Sequence, residues 1–142
     1  TLEFTEFTDY SQPNKATADG EVDLNAFQHY KFLNNWNKEN KGDVVAAADT
    51  LLSPIHLFSG TENGKAKYKD VKELPEGATI SVPNDGTNES RALTLLQTAG
   101  LIKLDVKDGE LATIKNISEN PKKLDIKEIS AEQAAQKGHY LL

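Results

Sequence analysis

The chain of 142 residues has no cysteine and no methionine, one tryptophan and a single arginine. Without cysteine there is no disulfide framework, no zinc-finger or iron–sulfur ligation and no thiol nucleophile. No apolar run approaches the ~18 residues of a membrane span, and mean hydropathy is -0.56. Basic charge is in deficit: the net charge is -6 and the pI about 5.1. That excludes the extended basic face on which counterion-release binding to nucleic acid depends. Also missing are a G-x-S-x-G nucleophile elbow and a phosphate loop of the G-x-x-x-x-G-K-[ST] type. His29, His56 and His139 lie far apart without paired ligand spacing, so no metal site is implied. Carboxylates are abundant, but none stands in a context that points to acid–base work. The chain is not read as an enzyme, and it implies no cofactor. The sequence opens at Thr1 with neither a start Met nor a signal peptide, and it is expected to be a fragment of something longer.

What is present divides unevenly. The length fits about one domain, and 37% hydrophobic with 27% charged residues suffices for a core. Residues 1–57 carry 4 Lys against 9 Asp and Glu, whereas residues 58–142 carry 11 Lys and the one Arg against 13 Asp and Glu. Eight of the ten aromatics fall before residue 60: Phe4, Phe7, Tyr10, Phe27, Tyr30, Phe32, Trp36 and Phe58. Two regimes in a short chain predict two lobes. The polar run Ser59–Lys65 supplies the connection between them.

Alternation predicts strands over Leu2–Phe7, Ala78–Val82 and Leu124–Ile129, and a short strand at Val22–Leu24. Val44–Ala48 and Ile55–Phe58 read as buried extended segments, and Leu101–Leu104 as a short one. Helices are expected from Gln12 to a stop at Gly20, over residues 27–40 with a stop at Gly42, and over Arg91–Ala99 with a stop at Gly100. Leu111, Ile114 and Ile117 mark a further helix, ended by Asn120-Pro121. Ser130-Ala131-Glu132-Gln133 fits a capping box for a last helix stopped by Gly138. Strands alternating with helices argue for an α/β fold with a largely parallel sheet, in which ligands bind beyond the carboxyl ends of strands.

Arg91 is the most informative residue. It stands alone among fifteen Lys, and its planar fork can grip a carboxylate through two parallel hydrogen bonds. The expected helix start at residue 91 puts it in the first turn, where the dipole disfavours a cation and welcomes an anion. The competing reading is a structural ion pair with Glu89 or Asp85. Asn84, Asp85, Thr87 and Asn88 surround that start and read first as caps; capping and anion binding draw on the same free N–H groups. Tyr10 and Phe27 stand at strand or helix ends, where aromatics line either a pocket or the core. Alone, His29 reads as a packed side chain more readily than a functional one. Phe27, Tyr30, Leu33 and Trp36 recur at helical spacing, which makes Trp36 structural.

A longer pattern then emerges. Glu6-Phe7-Thr8-Asp9-Tyr10-Ser11-Gln12-Pro13-Asn14-Lys15-Ala16, Asp19-Gly20-Glu21-Val22-Asp23 and Phe27-Gln28-His29 are followed by Glu73-Leu74-Pro75-Glu76-Gly77-Ala78-Thr79-Ile80 and Val82-Pro83-Asn84-Asp85. Thr87-Asn88-Glu89-Ser90-Arg91-Ala92-Leu93, Leu95–Leu104 and Glu119–Leu124 complete the series. Collinear from about residue 3 to residue 129, the sequence resembles the methionine-binding lipoproteins (NlpA/MetQ type) of bacterial ABC importers. The resemblance implies a two-lobed type 2 periplasmic-binding-protein fold, incomplete here: the family's first strand–helix unit and its return segment are absent. Residues 1–57 would belong to one lobe, 58–64 to the crossover and 65–142 to most of the other, with the ligand in the cleft. By motif position, Tyr10, Phe27 and His29 would contact the ligand from the first lobe, and Asn88 and Arg91 from the second. Arg91 would hold its carboxylate, while Tyr10 and Phe27 would enclose a thioether side chain.

The implied ligand is methionine, of either hand, or a methionine-containing small molecule such as a dipeptide. The implied partner is an ABC importer permease. The implied location is the cell surface or periplasm, through a lipid anchor on an N-terminal Cys lying before Thr1. A ligand-sensing or interaction protein of the same fold, with no transport role, is the alternative. Departures from the family pattern are Ile55-His56, Trp36 and the stretch Ser130–Leu142.

Overall fold

The computed structural model describes residues 1–134. Its contacts group the chain into two compact units, one spanning Thr1–Leu52 and the other beginning at Ser53. Residues 58–64 therefore belong to the second unit, and the expected stop at Gly138 and the residue His139 lie outside the described residues.

The first unit contains helix α1 (Gln12–Ala18) and helix α2 (Tyr30–Asn40). Pro13 fits the first turn of α1, where its missing N–H costs nothing. The Asp9 carboxylate organises the entry. Oδ1 accepts from the Ser11 N–H at 2.8 Å, the Ser11 hydroxyl at 2.5 Å and the Gln12 N–H at 3.1 Å, and Oδ2 accepts from Gln12 Nε2 at 2.7 Å. These bonds, led by that from the Ser11 hydroxyl, hold the Asp9 carboxyl below its ordinary range. Helix α2 starts at Tyr30 rather than at residue 27, because His29 is its N-cap: Nδ1 accepts the Phe32 N–H at 3.1 Å. It ends at Asn40, as expected, but the left-handed cap is Lys41 (φ 53°) rather than Gly42. Gly42 serves another purpose. A Cβ there would stand 2.4 Å from Cζ3 of the Trp36 ring, so the indole lies across bare backbone.

Neither strand expected in this unit forms. Leu2 and Phe4 are 81% and 88% exposed, and Val22–Leu24 forms bends and coil. Alternation alone does not make a strand: its N–H and C=O groups need a partner ladder, and none of the described residues supplies one. Val44–Ala48 is likewise irregular, with Val45 80% exposed.

The second unit holds the main hydrophobic core. Strands β1 (Thr61–Glu62) and β2 (Lys65–Ala66) form a hairpin whose turn residues, Asn63 (φ 52°) and Gly64 (φ 74°), both lie in the left-handed region that such tight turns demand. The polar run from Ser59 to Lys65 is thus largely hairpin. Ile55 and Leu57 pack partly against the core, whereas His56 and Phe58 are exposed, their rings 6.0 Å apart.

Strand β3 (Thr79–Pro83) pairs in parallel with β6 (Asp125–Ile129), Ile80 opposite Ile126 and Val82 opposite Glu128. Helix α3 (Gly86–Thr98) covers β3. Its buried positions, Glu89, Ala92, Leu93 and Leu96, follow helical spacing, and Ile80, Val82, Leu93 and Leu96 are almost wholly enclosed. Strand β4 (Lys103–Leu104) pairs antiparallel with β5 (Ile117–Glu119). The helix expected across Leu111–Ile117 is instead a single 3-10 turn, Ile114–Asn116, entered through a capping box of Thr113 and Asn116. Apolar residues spaced strictly by three suit a three-fold turn no less than an α-helix. The short helix α4 (Ala131–Ala134) follows β6. Among the described residues only β3 and β6 are parallel; the other two pairs are antiparallel.

Candidate functional site

In the first unit, Tyr10 and Phe27 meet with ring centroids 5.7 Å apart. Phe32, one turn into α2, stands 6.0 Å from Tyr10, 5.7 Å from Phe27 and 6.4 Å from the His29 ring. The near-perpendicular packing of Phe32 suits aromatic quadrupoles. The sequence reading missed Phe32; its signal is the spacing His29-x-x-Phe32, one turn after an N-cap. The three proposed residues Tyr10, Phe27 and His29 thus share one aromatic cluster, with Tyr10 37% exposed.

Between Phe27 and His29, Gln28 serves as an anchor. Its amide and that of fully buried Asn14 exchange two hydrogen bonds, at 2.7 and 2.5 Å. Asn25 adds bonds to Asn14 Oδ1 at 3.1 Å and Thr17 Oγ1 at 2.7 Å. In an extended chain alternate side chains point to opposite sides. Fixing Gln28 against α1 therefore aims Phe27 and His29 the other way, toward Phe32. Because Nδ1 of His29 is an acceptor, the neutral imidazole carries its proton on Nε2.

In the second unit, Asn88 and Arg91 stand on α3 beyond the carboxyl end of β3, where a parallel pair leaves ligand-binding room. Asn84 continues the β3–β6 pairing by donating its N–H to the Ile129 carbonyl at 2.9 Å. Asp85 then caps α3: Oδ1 accepts from the Asn88 N–H at 3.0 Å and from the Thr87 hydroxyl at 3.1 Å. The helix therefore begins at Gly86, and Arg91 is in its second turn, not its first. The expected start at Arg91 is late because Asp85 caps the helix and Gly86 is its first residue. Arg91 therefore lies beyond the turn in which the helix dipole welcomes an anion.

Asn88 Nδ2 donates to Asp85 Oδ2 at 3.2 Å, and Arg91 Nη1 donates to Asn88 Oδ1 at 2.9 Å. Arg91 Nη2 reaches the Ser53 carbonyl at 3.1 Å. The ion pair that competed for Arg91 is not formed with either candidate. Asp85 is spent on the cap. Glu89, 4% exposed, accepts the Ile114 N–H at 3.0 Å. Burial, above all, pushes the Glu89 carboxyl up; the Ile114 bond pulls it down, while neighbouring Glu128 and Asp85 push further up. Among the described residues Arg91 has no carboxylate partner. No cluster of His, Asp and Glu able to hold a metal ion occurs among them, and no described helix is long and apolar enough to cross a membrane.

The sequence pattern of NlpA lipoproteins matches residues 1–138. The chain belongs to the NlpA lipoprotein family. NlpA proteins are substrate-binding lipoproteins of ABC importers, and the family is not enzymatic. A probable D-methionine-binding lipoprotein MetQ of Haemophilus influenzae is 42% identical over 136 residues, covering 95% of this chain and 48% of that protein. An outer membrane lipoprotein of Mannheimia haemolytica is 45% identical, over 92% of this chain and 47% of that one. Among solved structures, the substrate-binding protein of a methionine transporter from Streptococcus pneumoniae is 64% identical, with a TM-score of 0.95 over 97% of this chain and 54% of that one. A nutrient-binding protein from Burkholderia cenocepacia, solved bound to methionine, is 45% identical, with a TM-score of 0.85 over 93% and 54%. This NlpA chain thus has the α/β fold of periplasmic substrate-binding proteins and spans about half the length of the relatives it matches.

Proposed function

We propose that this chain supplies ligand contacts for capturing methionine, or a close relative of it, on behalf of an ABC importer. The single observation that carries the reading is Arg91: the only guanidinium of a Lys-rich chain, held at two of its five N–H groups by neutral acceptors and matched to no carboxylate among the described residues. A fixed guanidinium of this kind is suited to an α-carboxylate from outside. Asn88, beside it, adds a polar contact. Tyr10 and Phe27 enclose the apolar side chain, and His29 adds a contact from the same aromatic cluster. Residues 1–57 are proposed for one lobe, 58–64 for the crossover and 65–142 for most of the other, a boundary a few residues beyond the Leu52–Ser53 division of the compact units. The solved relatives from Streptococcus pneumoniae and Burkholderia cenocepacia, described respectively as serving a methionine transporter and as bound to methionine, support the ligand class. Relatives described as lipoproteins support anchoring outside the cytoplasm.

Mass spectrometry of the small molecules released on denaturing the protein that carries this chain tests the ligand class directly. Methionine or a methionine dipeptide is the expected mass; a sugar or an inorganic anion in its place would remove the reading. Co-purification with a permease tests the transport role.

A further inference from the structure

Asp85, Asn88 and Arg91 are spaced by three along the start of α3, and their side chains join end to end: carboxylate to amide at 3.2 Å, amide to guanidinium at 2.9 Å. An Asn amide has two faces, one accepting and one donating, and nothing intrinsic decides which way it turns. Here both neighbours set it the same way: Asp85 only accepts and takes Nδ2, and Arg91 only donates and takes Oδ1. The arrangement is enclosed enough to matter, with Asn88 only 8% exposed. Capping alone does not require an Asp, since Asn or Ser would cap α3 about as well. From this we infer that Asp85 is a positioning residue: it sets the polarity of Asn88, which in turn holds the Arg91 fork in the orientation that receives the ligand's carboxylate.

The inference rests on the carboxylate-binding reading of Arg91, and its test separates the two. Asp85→Asn keeps a good cap but places an NH2 group against the Asn88 NH2. The Asn88 amide then faces a donor with a donor, at residue 85 if it stays and at Arg91 if it turns. Arg91 is the sole arginine, so its side-chain Nε and Nη signals in nitrogen-15 NMR are free of overlap from other arginines.

In the parent chain the Nη protons are expected as resolved, slowly rotating signals. Asp85→Asn should collapse them while leaving the thermal midpoint within a few degrees, and the double change Asp85→Asn with Asn88→Asp, which restores a donor–acceptor order, should bring them back. Calorimetry with L-methionine on the protein that carries this chain gives the second arm. Losing a carboxylate near the ligand's own would by charge alone tighten binding. A roughly tenfold weakening, the worth of one hydrogen bond to a charged group, is the mark of lost positioning. Arg91 signals unchanged in Asp85→Asn, or binding unchanged or tighter, would overturn the role of Asp85. If the parent itself binds no methionine, the ligand reading falls, and the NMR arm still decides on Asp85.

Discussion

Glu89 shows how one residue can be read from its surroundings. It stands in the first turn of α3, where the helix dipole favours an anion, yet it lies on the buried stripe with Ala92, Leu93 and Leu96. Burial raises its carboxyl above the usual range. A raised acid favours the protonated form in the fold, so its stabilising contribution is complete at low pH and is lost as pH rises through the folded-state value. Glu89→Gln keeps an acceptor for the Ile114 N–H and removes the charge. The variant should therefore gain stability relative to the parent as pH is raised from acid to neutral; thermal melts of both across that range check it, and parallel pH profiles would contradict it. Trp36 offers a second case. Gly42→Ala places a Cβ against its indole and should cost about 1–3 kcal/mol by overpacking. The emission of the chain's one Trp should shift with it. Methionine, by contrast, should leave that emission nearly unchanged if Trp36 is structural.

Elements explain why some of the site was legible and some was not. Helix α1 and strands β3 and β6 follow their pattern closely, because local signals and tertiary partners agree there: Pro13 opens a helix, and the Ala78–Val82 and Leu124–Ile129 runs find each other. Where local pattern and partners disagree, partners win. Leu2–Phe7 alternates, but no described strand pairs with it, and Leu111–Ile117 resolves into a 3-10 turn and a strand edge bound to β4. Helix α3 starts at Gly86 rather than at Arg91 because Asp85 is its cap, a start marked by the series Asp85-x-x-Asn88-x-x-Arg91. The Asn14–Gln28 amide pair was invisible to spacing, since it depends on how α1 lies against the segment before α2. His29 joins element and site. His29→Ala should lower stability by about 1 kcal/mol through the lost cap. His29→Asn should restore the cap without the imidazole. Denaturant unfolding alongside methionine affinity separates the two roles: the Asn variant is expected to recover stability and not affinity.

At the scale of the whole molecule, the family and the α/β fold were readable because the matching runs stretch over most of the chain, from the Tyr10 segment to Lys122-Lys123-Leu124. The division into two units falls between Leu52 and Ser53, where no composition shift marks it. Arg91 is proposed to dominate capture of a carboxylate ligand, and calorimetry with L-methionine on the parent, Arg91→Ala and Arg91→Lys measures its share. Removing one side of a charge-assisted pair costs about 2–5 kcal/mol, so Arg91→Ala should bind roughly 30-fold to several thousand-fold more weakly. Arg91→Lys should recover only part of that, because an ammonium lacks the fork, and Lys103→Ala, at the exposed Lys103–Glu119 pair, should bind like the parent. Binding by Arg91→Ala within about twofold of the parent, under ~0.5 kcal/mol, would contradict the claim and return Arg91 to the ordinary surface charges.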